Sequence, residues 1–235
     1  MDSVSLLRFD INKLKSSYRA KVSQSFFKTG KGQYGEGDIF IGLTVPQCRM
    51  LSKKYLDLSK SEVGKILKSK IHEERLIALL ILVEKFSKGD NKKRKEIFDF
   101  YLKNIKYINN WDLVDLSADK IVGAYLLDKD KNILLKLVLS KNIWERRISV
   151  ISTFNFIKNG KFDWTLKISK ILLNDSHDLI QKAVGWMLRE VGKKSIAVEK
   201  TFLNKYYRKM PRTMLRYAIE RFSEKERQKY LKGVV

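Results

Sequence analysis

Apolar residues recur at helical spacing along almost the whole chain, and this pattern limits the choice of fold more than any other feature. The clearest run is Ile71–Phe86, where apolar side chains occupy positions i, i+3, i+4 and i+7. Similar runs follow at Ile143–Phe156, Asp178–Val191 and Arg212–Phe222. Strand-like alternation is confined to Asp38–Leu43, which is too short and isolated to build a sheet. The sequence therefore predicts an all-α protein.

Capping signals mark where several of these helices begin and end. Thr44–Gln47 has the spacing of a capping box, as do Asn142–Glu145 and Ser223–Glu226. Pro211 stands where a helix would start, because proline is tolerated at the first helical position. Gly89 follows an apolar run and predicts a helix end.

The longer helices also repeat one another. Similar four-residue segments begin at Arg75, Arg147, Lys182 and Arg216, and the three intervals between them are 72, 35 and 34 positions. Asp115 falls near the middle of the long interval, so the period is about 35 residues, as in HEAT or armadillo repeats. We expect a right-handed α-solenoid of HEAT-like repeats in which these five residues line a basic concave face. The alternative is a chance alignment of amphipathic helices.

Length and charge indicate one domain with an anionic partner. The chain has 235 residues, which we interpret as a single domain spanning residues 1–235. Lys and Arg total 49 against 26 Asp and Glu, a formal charge of +23. Nucleic acid is the commonest intracellular polyanion, and releasing its counterions favours binding to such a surface. A merely solvated, lysine-rich surface is the alternative explanation of this charge.

Other compositional features exclude several classes of protein. One cysteine, Cys48, excludes an internal disulfide framework and a cysteine-rich zinc site, and two histidines leave little for a histidine-based metal centre. No apolar run has the length of a membrane span. The first residues do not resemble a secretion signal, and we expect a cytoplasmic protein. The segment Gly30–Gly35 matches G-x-G-x-x-G but follows no predicted strand, so it is interpreted as a loop.

The segment Asn109–Asp115 is the most informative for chemistry. Trp111 and Asp115 are four positions apart, so they share one face of a helix. Asp112 has the ordinary explanation of an exposed acid in a first helical turn, where the helix dipole favours negative charge. That explanation is weaker for Asp115, which makes it a candidate functional carboxylate.

Two further segments carry candidate nucleic-acid contacts. Arg146 and Arg147 lie at the head of a helix, where the dipole opposes positive charge, so a functional or ion-paired role is more plausible for them than for an average arginine. The alternative is a solvated pair near Glu145. Lys182, Trp186 and Arg189 share one helix face, as an aromatic residue beside phosphate-binding cations would. The alternative for Trp186 is a place in the core between helices.

From about Val22 to the C-terminal helices, the sequence resembles the AlkD-type alkylpurine DNA glycosylases, the HEAT-like-repeat DNA alkylation repair family. Five ordered segments carry the resemblance: Ser25-Phe26-Phe27-Lys28, Gly35–Gly42 followed by Pro46 and Arg49, Trp111–Asp115, Trp144 with Arg147, and Gln181–Glu190.

The resemblance implies roles for individual residues. The family's catalytic carboxylate falls on Asp115, and its aromatic contacts to the lesion-bearing sugar fall on Trp111 and Trp186. Its DNA-contacting arginine falls on Arg147. A tyrosine of the well-known members falls on Phe26, which removes a hydroxyl but keeps a ring for stacking. Cations such as Arg146, Lys182 and Arg189 complete the expected DNA contacts.

The implied activity is monofunctional hydrolysis of the N-glycosidic bond of N3- and N7-alkylated purines in duplex DNA, as in base excision repair. Such a purine is cationic and leaves neutral, so the enzyme needs a carboxylate that stabilises an oxocarbenium-like sugar and positions water. We expect a monomeric protein with a bacterial-type cytoplasmic location and no membrane attachment. It is expected to associate with the nucleoid while it acts on DNA. Two alternatives remain at this point: a non-catalytic HEAT-like protein that binds DNA or RNA, and a scaffold for an acidic protein.

Overall fold

The chain is all-α in the computed structural model, which describes residues 2–235 and contains no β-strand within that range. The strand-like stretch Asp38–Leu43 makes one isolated bridge, between Ile39 and Ile71. The backbone divides into two compact units, Met1–Ser117 and Ala118–Val235. One domain over residues 1–235 therefore stays a prediction, and each unit is described by itself.

The first unit is built around one long buried helix. Its helices are α1 (Ser3–Lys13), α2 (Ser17–Phe26), α3 (Val45–Lys54), α4 (Lys60–Leu67), α5 (His72–Lys88), α6 (Asn91–Lys103) and α7 (Trp111–Ala118), the last of which ends at the boundary between the units. Helices α3, α4 and α6 all pack against α5. Because α5 is covered from several sides, its apolar residues are buried around most of its circumference.

Local sequence signals account for the helix boundaries in this unit. Thr44 and Gln47 form the predicted capping box at the start of α3, with a proline in the first turn. Helix α5 ends at Gly89, as predicted. Gly42 has a φ of +84°, and a Cβ there would lie 2.2 Å from the backbone oxygen of Ser16, so only glycine fits.

The second unit consists of successive packed helices. A π-helical turn (Asp119–Gly123) leads into α8 (Ala124–Leu126), α9 (Asn132–Val138), α10 (Ile143–Lys158), α11 (Asp163–Ile171), α12 (Asp178–Lys194), α13 (Ile196–Tyr206), α14 (Arg212–Ala218) and α15 (Glu224–Lys232). Helix α10 packs on both α9 and α12, and α12 packs in turn on α13 and α14. This stepwise packing is that of a helical-repeat protein.

The repeat register predicted from the sequence holds in the second unit. Arg147, Lys182 and Arg216 are each the fifth residue of their helices, counted from starts at positions 143, 178 and 212. Gly185 allows a close approach of two repeats, because a Cβ there would lie 2.4 Å from the backbone oxygen of Met214. A neighbouring backbone therefore fills the space beside this glycine.

Candidate functional site

In the first unit, a row of stacked rings leads to the start of α7. The Trp111 ring stacks on Phe27, with centroids 5.0 Å apart and planes 13° apart. Phe27 stacks on Phe40 at 4.7 Å, and Phe40 stacks on the His72 ring at 4.3 Å. Phe26 meets Trp111 edge to face at 5.9 Å and is 64% exposed. Trp111 is half-buried, so the row ends in two aromatic side chains that solvent reaches.

Beneath this row lies a buried ionic network. The His72 imidazole lies between Asp38, at 3.1 Å from Nδ1 to Oδ2, and Asp112, at 2.7 Å from Nε2 to Oδ2. Arg75 Nη2 donates to Asp38 Oδ1 at 2.6 Å, and Asn110 Nδ2 donates to Asp38 Oδ2 at 3.1 Å. All five residues are buried. Two carboxylates are therefore matched by one guanidinium and one imidazolium, which keeps the buried network neutral.

The charges of this network set the ionisation of its members. Burial alone lowers the pKa of His72, but the Asp112 carboxylate and hydrogen bonds to Asp112 and Asp38 outweigh burial and raise that pKa to about 9. Burial opposes ionisation of Asp38 as well, yet its hydrogen bond to His72 and the charge of Arg75 hold its pKa below the usual value. His72 is therefore an imidazolium that donates to both carboxylates at neutral pH.

The network fixes the first turn of α7. Asp112 Oδ1 accepts from the Leu113 N–H at 2.8 Å, and Asn110 Oδ1 accepts from the Trp111 N–H at 2.8 Å. Both caps satisfy backbone donors that the helix itself leaves unpaired. Asp115, which is half-buried, follows Trp111 by one helical turn. Its position is thus tied to buried ion pairs rather than to a mobile loop.

Two expectations from the sequence are wrong here. Asp112, interpreted as an exposed first-turn acid, is buried against His72. Arg75, expected to line a concave face, is buried in an ion pair with Asp38. Sequence reasoning also missed His72 and Asp38 as parts of the network. One signal could have revealed it, because the polar run His-Glu-Glu-Arg at 72–75 opens a helix that is otherwise strongly apolar up to Val83.

In the second unit, the two arginines of α10 are engaged by the protein itself. Arg146 Nε pairs with Asp175 at 2.8 Å, and its Nη1 donates to the backbone oxygens of Ser140 and Lys141. Arg147 is only 5% exposed and donates to the backbone oxygen of Leu179 in α12. Both side chains therefore stabilise the junction of neighbouring helices, and a DNA-binding role for them stays a prediction.

Trp186 lies on the surface of α12 rather than wholly in the core. Its ring is half-buried and lies 5.8 Å from the Phe154 ring, at an angle of 51°. Its indole N–H donates to Glu190 Oε1 at 3.1 Å, which fixes the orientation of the ring. An oriented and partly exposed tryptophan can stack on a sugar or base.

The other predicted cations of α12 are half-buried and ion-paired. Lys182 Nζ lies 2.9 Å from Asp178 Oδ2, one turn earlier on the helix. Arg189 pairs with Glu220. Lys182 and Arg189 thus lie on the same helix as Trp186, as the sequence predicted.

Neither a metal-binding cluster nor a membrane-spanning helix is present among residues 2–235. No three His, Cys, Asp or Glu side chains among residues 2–235 are grouped as a metal site would require. Within the same range, every helix is too short or too polar to cross a membrane.

This all-α repeat architecture agrees with the comparisons to known proteins. The chain belongs to the DNA alkylation repair enzyme family, whose sequence profile matches residues 7–222. The structure of a predicted DNA alkylation repair enzyme from Enterococcus faecalis matches with a TM-score of 0.69 and 16% identity, covering 89% of this chain and 97% of that one. At this identity the likeness shows the shared fold alone. No curated protein matches the sequence. Membership of the family implies DNA as the partner.

Proposed function

We propose that the protein is a DNA glycosylase that hydrolyses the N-glycosidic bond of N3- and N7-alkylated purines in duplex DNA. The observation that carries the proposal is the arrangement on α7, where Asp115 follows the stacked Trp111 by one turn. The family membership supplies the DNA substrate, and the arrangement supplies a carboxylate beside an aromatic face.

The proposed hydrolysis requires few catalytic groups beyond this carboxylate and these aromatic rings. An N3- or N7-alkylated purine carries a positive charge and leaves as a neutral base, so no general acid is required. As the bond lengthens, positive charge develops on the sugar, and the Asp115 carboxylate stabilises it and orients the attacking water. The face of Trp111 favours the same developing charge, and Trp186 offers a further aromatic face in the second unit. Bond cleavage needs no metal and no cofactor in this scheme.

The remaining predicted contacts hold the DNA. In the second unit, the proposed phosphate contacts are Arg147, Lys182, Arg189 and Arg146. In the first unit, the exposed ring of Phe26, which meets Trp111 edge to face, is the proposed stacking contact with DNA. Water is the nucleophile, so the enzyme is monofunctional and leaves an abasic site with the strand intact. It acts as a monomer, in the cytoplasm and at the nucleoid.

The proposal is tested by the products formed from a methylated duplex. We expect excess enzyme to release free 7-methylguanine and 3-methyladenine, to leave an unbroken abasic strand, and to release nothing from the unmethylated duplex. Chromatography of the bases and denaturing gels of the strands give both readouts. Salt-sensitive binding to both duplexes without base release would indicate a non-catalytic binder and contradict the proposal.

A further inference from the structure

A groove of about 550 Å³ lies between α4 and α6 in the first unit. Four lysines line it: Lys60, Lys65 and Lys68 from the α4 side and Lys103 from α6. The groove shares no residue with the stacked rings or the His72 network. Its volume lies in the range of small-molecule sites, about 300–1,000 Å³.

The positive charge of this groove is not neutralised from within. Among the described residues, none of the four lysine ammonium groups makes a hydrogen bond or an ion pair. Two acids also line the groove, but each is already paired: Glu96 with Lys93 at 3.4 Å and Asp99 with Lys95 at 2.6 Å. An anion that enters therefore meets four lysines without a direct carboxylate contact; Lys65 acts at longer range on the Glu62 and Asp2 carboxylates.

One aromatic side chain, Phe100, lines the groove. Phe100 is half-buried, and its ring reaches the backbone of α4 at Gly64, where a Cβ would lie 3.3 Å from Phe100 Cζ. Asn104, which caps the C-terminal end of α6, donates its amide N–H to the Phe100 backbone oxygen at 2.8 Å. One flat apolar ring thus lies among unpaired cations, which combines a stacking surface with phosphate-binding charge.

We propose that this groove binds a phosphorylated nucleoside, with the base stacked on Phe100 and the phosphate groups among Lys60, Lys65 and Lys68. The nucleoside phosphate is either a free nucleotide or the terminal nucleotide of a DNA strand, because both present the same chemistry. Lysine binds phosphate as a point charge, and stacking tolerates every base, so the site discriminates weakly between bases.

Calorimetric titration of the full-length protein with adenosine diphosphate tests the proposal. We expect binding that is at least tenfold tighter than that of inorganic pyrophosphate, since stacking on an aromatic ring gives about one to two orders of magnitude in affinity. Phe100→Leu keeps the contact with Gly64 but removes the flat ring, and it should bring the nucleotide affinity down to that of pyrophosphate. Equal affinities of the wild type for both ligands would overturn the proposal.

A matched pair of double variants distinguishes nucleotide binding in this groove from non-specific binding to the basic surface of the protein. Lys65→Gln/Lys68→Gln should weaken nucleotide binding about tenfold or more. Lys167→Gln/Lys170→Gln, with the same spacing and charge loss on the exposed side of α11, should leave it unchanged. Equal losses in both variants would overturn the proposal. Base release from methylated duplex should be the same in both, which keeps this test independent of the proposed glycosylase activity.

The source of the nucleotide is settled by competition. A fluorescent adenosine diphosphate bound to the groove is displaced with unlabelled nucleotide or with a 5′-phosphorylated pentanucleotide, in wild type and in Lys65→Gln/Lys68→Gln. If the nucleotide displaces the probe at the lower concentration, the ligand is a free nucleotide. If the pentanucleotide does so, the ligand is the end of a DNA strand. If neither displaces the probe in a manner that depends on Lys65 and Lys68, the proposal fails.

Discussion

His72 lies between two carboxylates from distant parts of the chain, Asp38 and Asp112, and all three side chains are buried. Because Asp112 lies in the first turn of α7, this single imidazolium links α5 to the helix that carries Trp111 and Asp115. Removing it would leave uncompensated carboxylates in the interior, which is costly.

The pH dependence of stability follows from the pKa of His72. The folded protein keeps the imidazole protonated up to a pKa of about 9, whereas the unfolded chain releases that proton near 6.5. We therefore expect the free energy of unfolding to fall as pH rises from about 6.5 through 9, by roughly 3–4 kcal/mol, at about 1.4 kcal/mol for each unit between the two pKa values. Urea denaturation across this range measures the effect.

The slope of that pH profile tests the assignment. His72→Gln should be less stable at neutral pH and should lose most of the decline between pH 6.5 and 9. His177→Gln, which alters the other histidine, should keep the wild-type decline. A His72→Gln profile parallel to that of the wild type would contradict the network described above.

Residue-level predictions from sequence succeeded where the reasoning was local. The Thr44 capping box depends on residues three positions apart, so it could be found from the sequence. The pair His72–Asp112 joins residues 40 positions apart, and Asp38–Asn110 spans 72, so no local pattern indicates either. For that reason Asp112 was expected at the surface, although it is buried.

At the scale of elements, the packing of α12 on α14 depends on one glycine. Gly185 brings the two backbones so close that a methyl group would lie 2.4 Å from Met214 O and 2.5 Å from Tyr217 Cβ. Both obstacles belong to the backbone or to its first side-chain atom, and neither can rotate away. The apolar periodicity of the sequence predicted both α12 and α14. It could not predict which residues of a neighbouring helix approach Gly185.

Gly185→Ala should therefore destabilise the protein by about 1–3 kcal/mol, despite the higher helix propensity of alanine. Gly64→Ala is the matched control, because its Cβ would meet only the outer edge of the Phe100 ring, at 3.3 Å. Thermal or urea denaturation of both variants gives the comparison. If Gly185→Ala is as stable as Gly64→Ala, the two helices do not pack as closely as described.

At the scale of the whole molecule, we expect the charge of +23 to favour association with DNA through counterion release. The net charge follows from the composition, and the helical-repeat class follows from the period of the apolar residues along the chain. Both could therefore be predicted from the sequence. The helix starts at 143, 178 and 212 confirm the register of the repeat. Whether an individual cation is exposed or ion-paired could not be predicted, because the ion pairs of Arg75 and Arg146 depend on partners from other segments of the chain.

The salt dependence of DNA binding tests which cations reach phosphate. Arg147→Ala should weaken duplex binding and reduce the slope of log K against log[salt] by about one phosphate's worth, near 0.9. Lys170→Ala on α11, exposed and outside the predicted interface, should leave the slope unchanged. Melting curves verify that both variants are folded, and an unchanged slope for folded Arg147→Ala would place this residue outside the interface.

The most direct test of the central claim is single-turnover release of 7-methylguanine by the wild type and by Asp115→Asn, with duplex binding measured on the same preparations. We predict that Asp115→Asn binds DNA within a few fold of the wild type but releases the base about 10²-fold or more slowly, because it loses the charge that stabilises the sugar. Asp163→Asn, which changes an exposed first-turn acid of α11, should match the wild type in both. Release by Asp115→Asn at the wild-type rate, or a loss of binding that explains the whole decrease, would contradict the account.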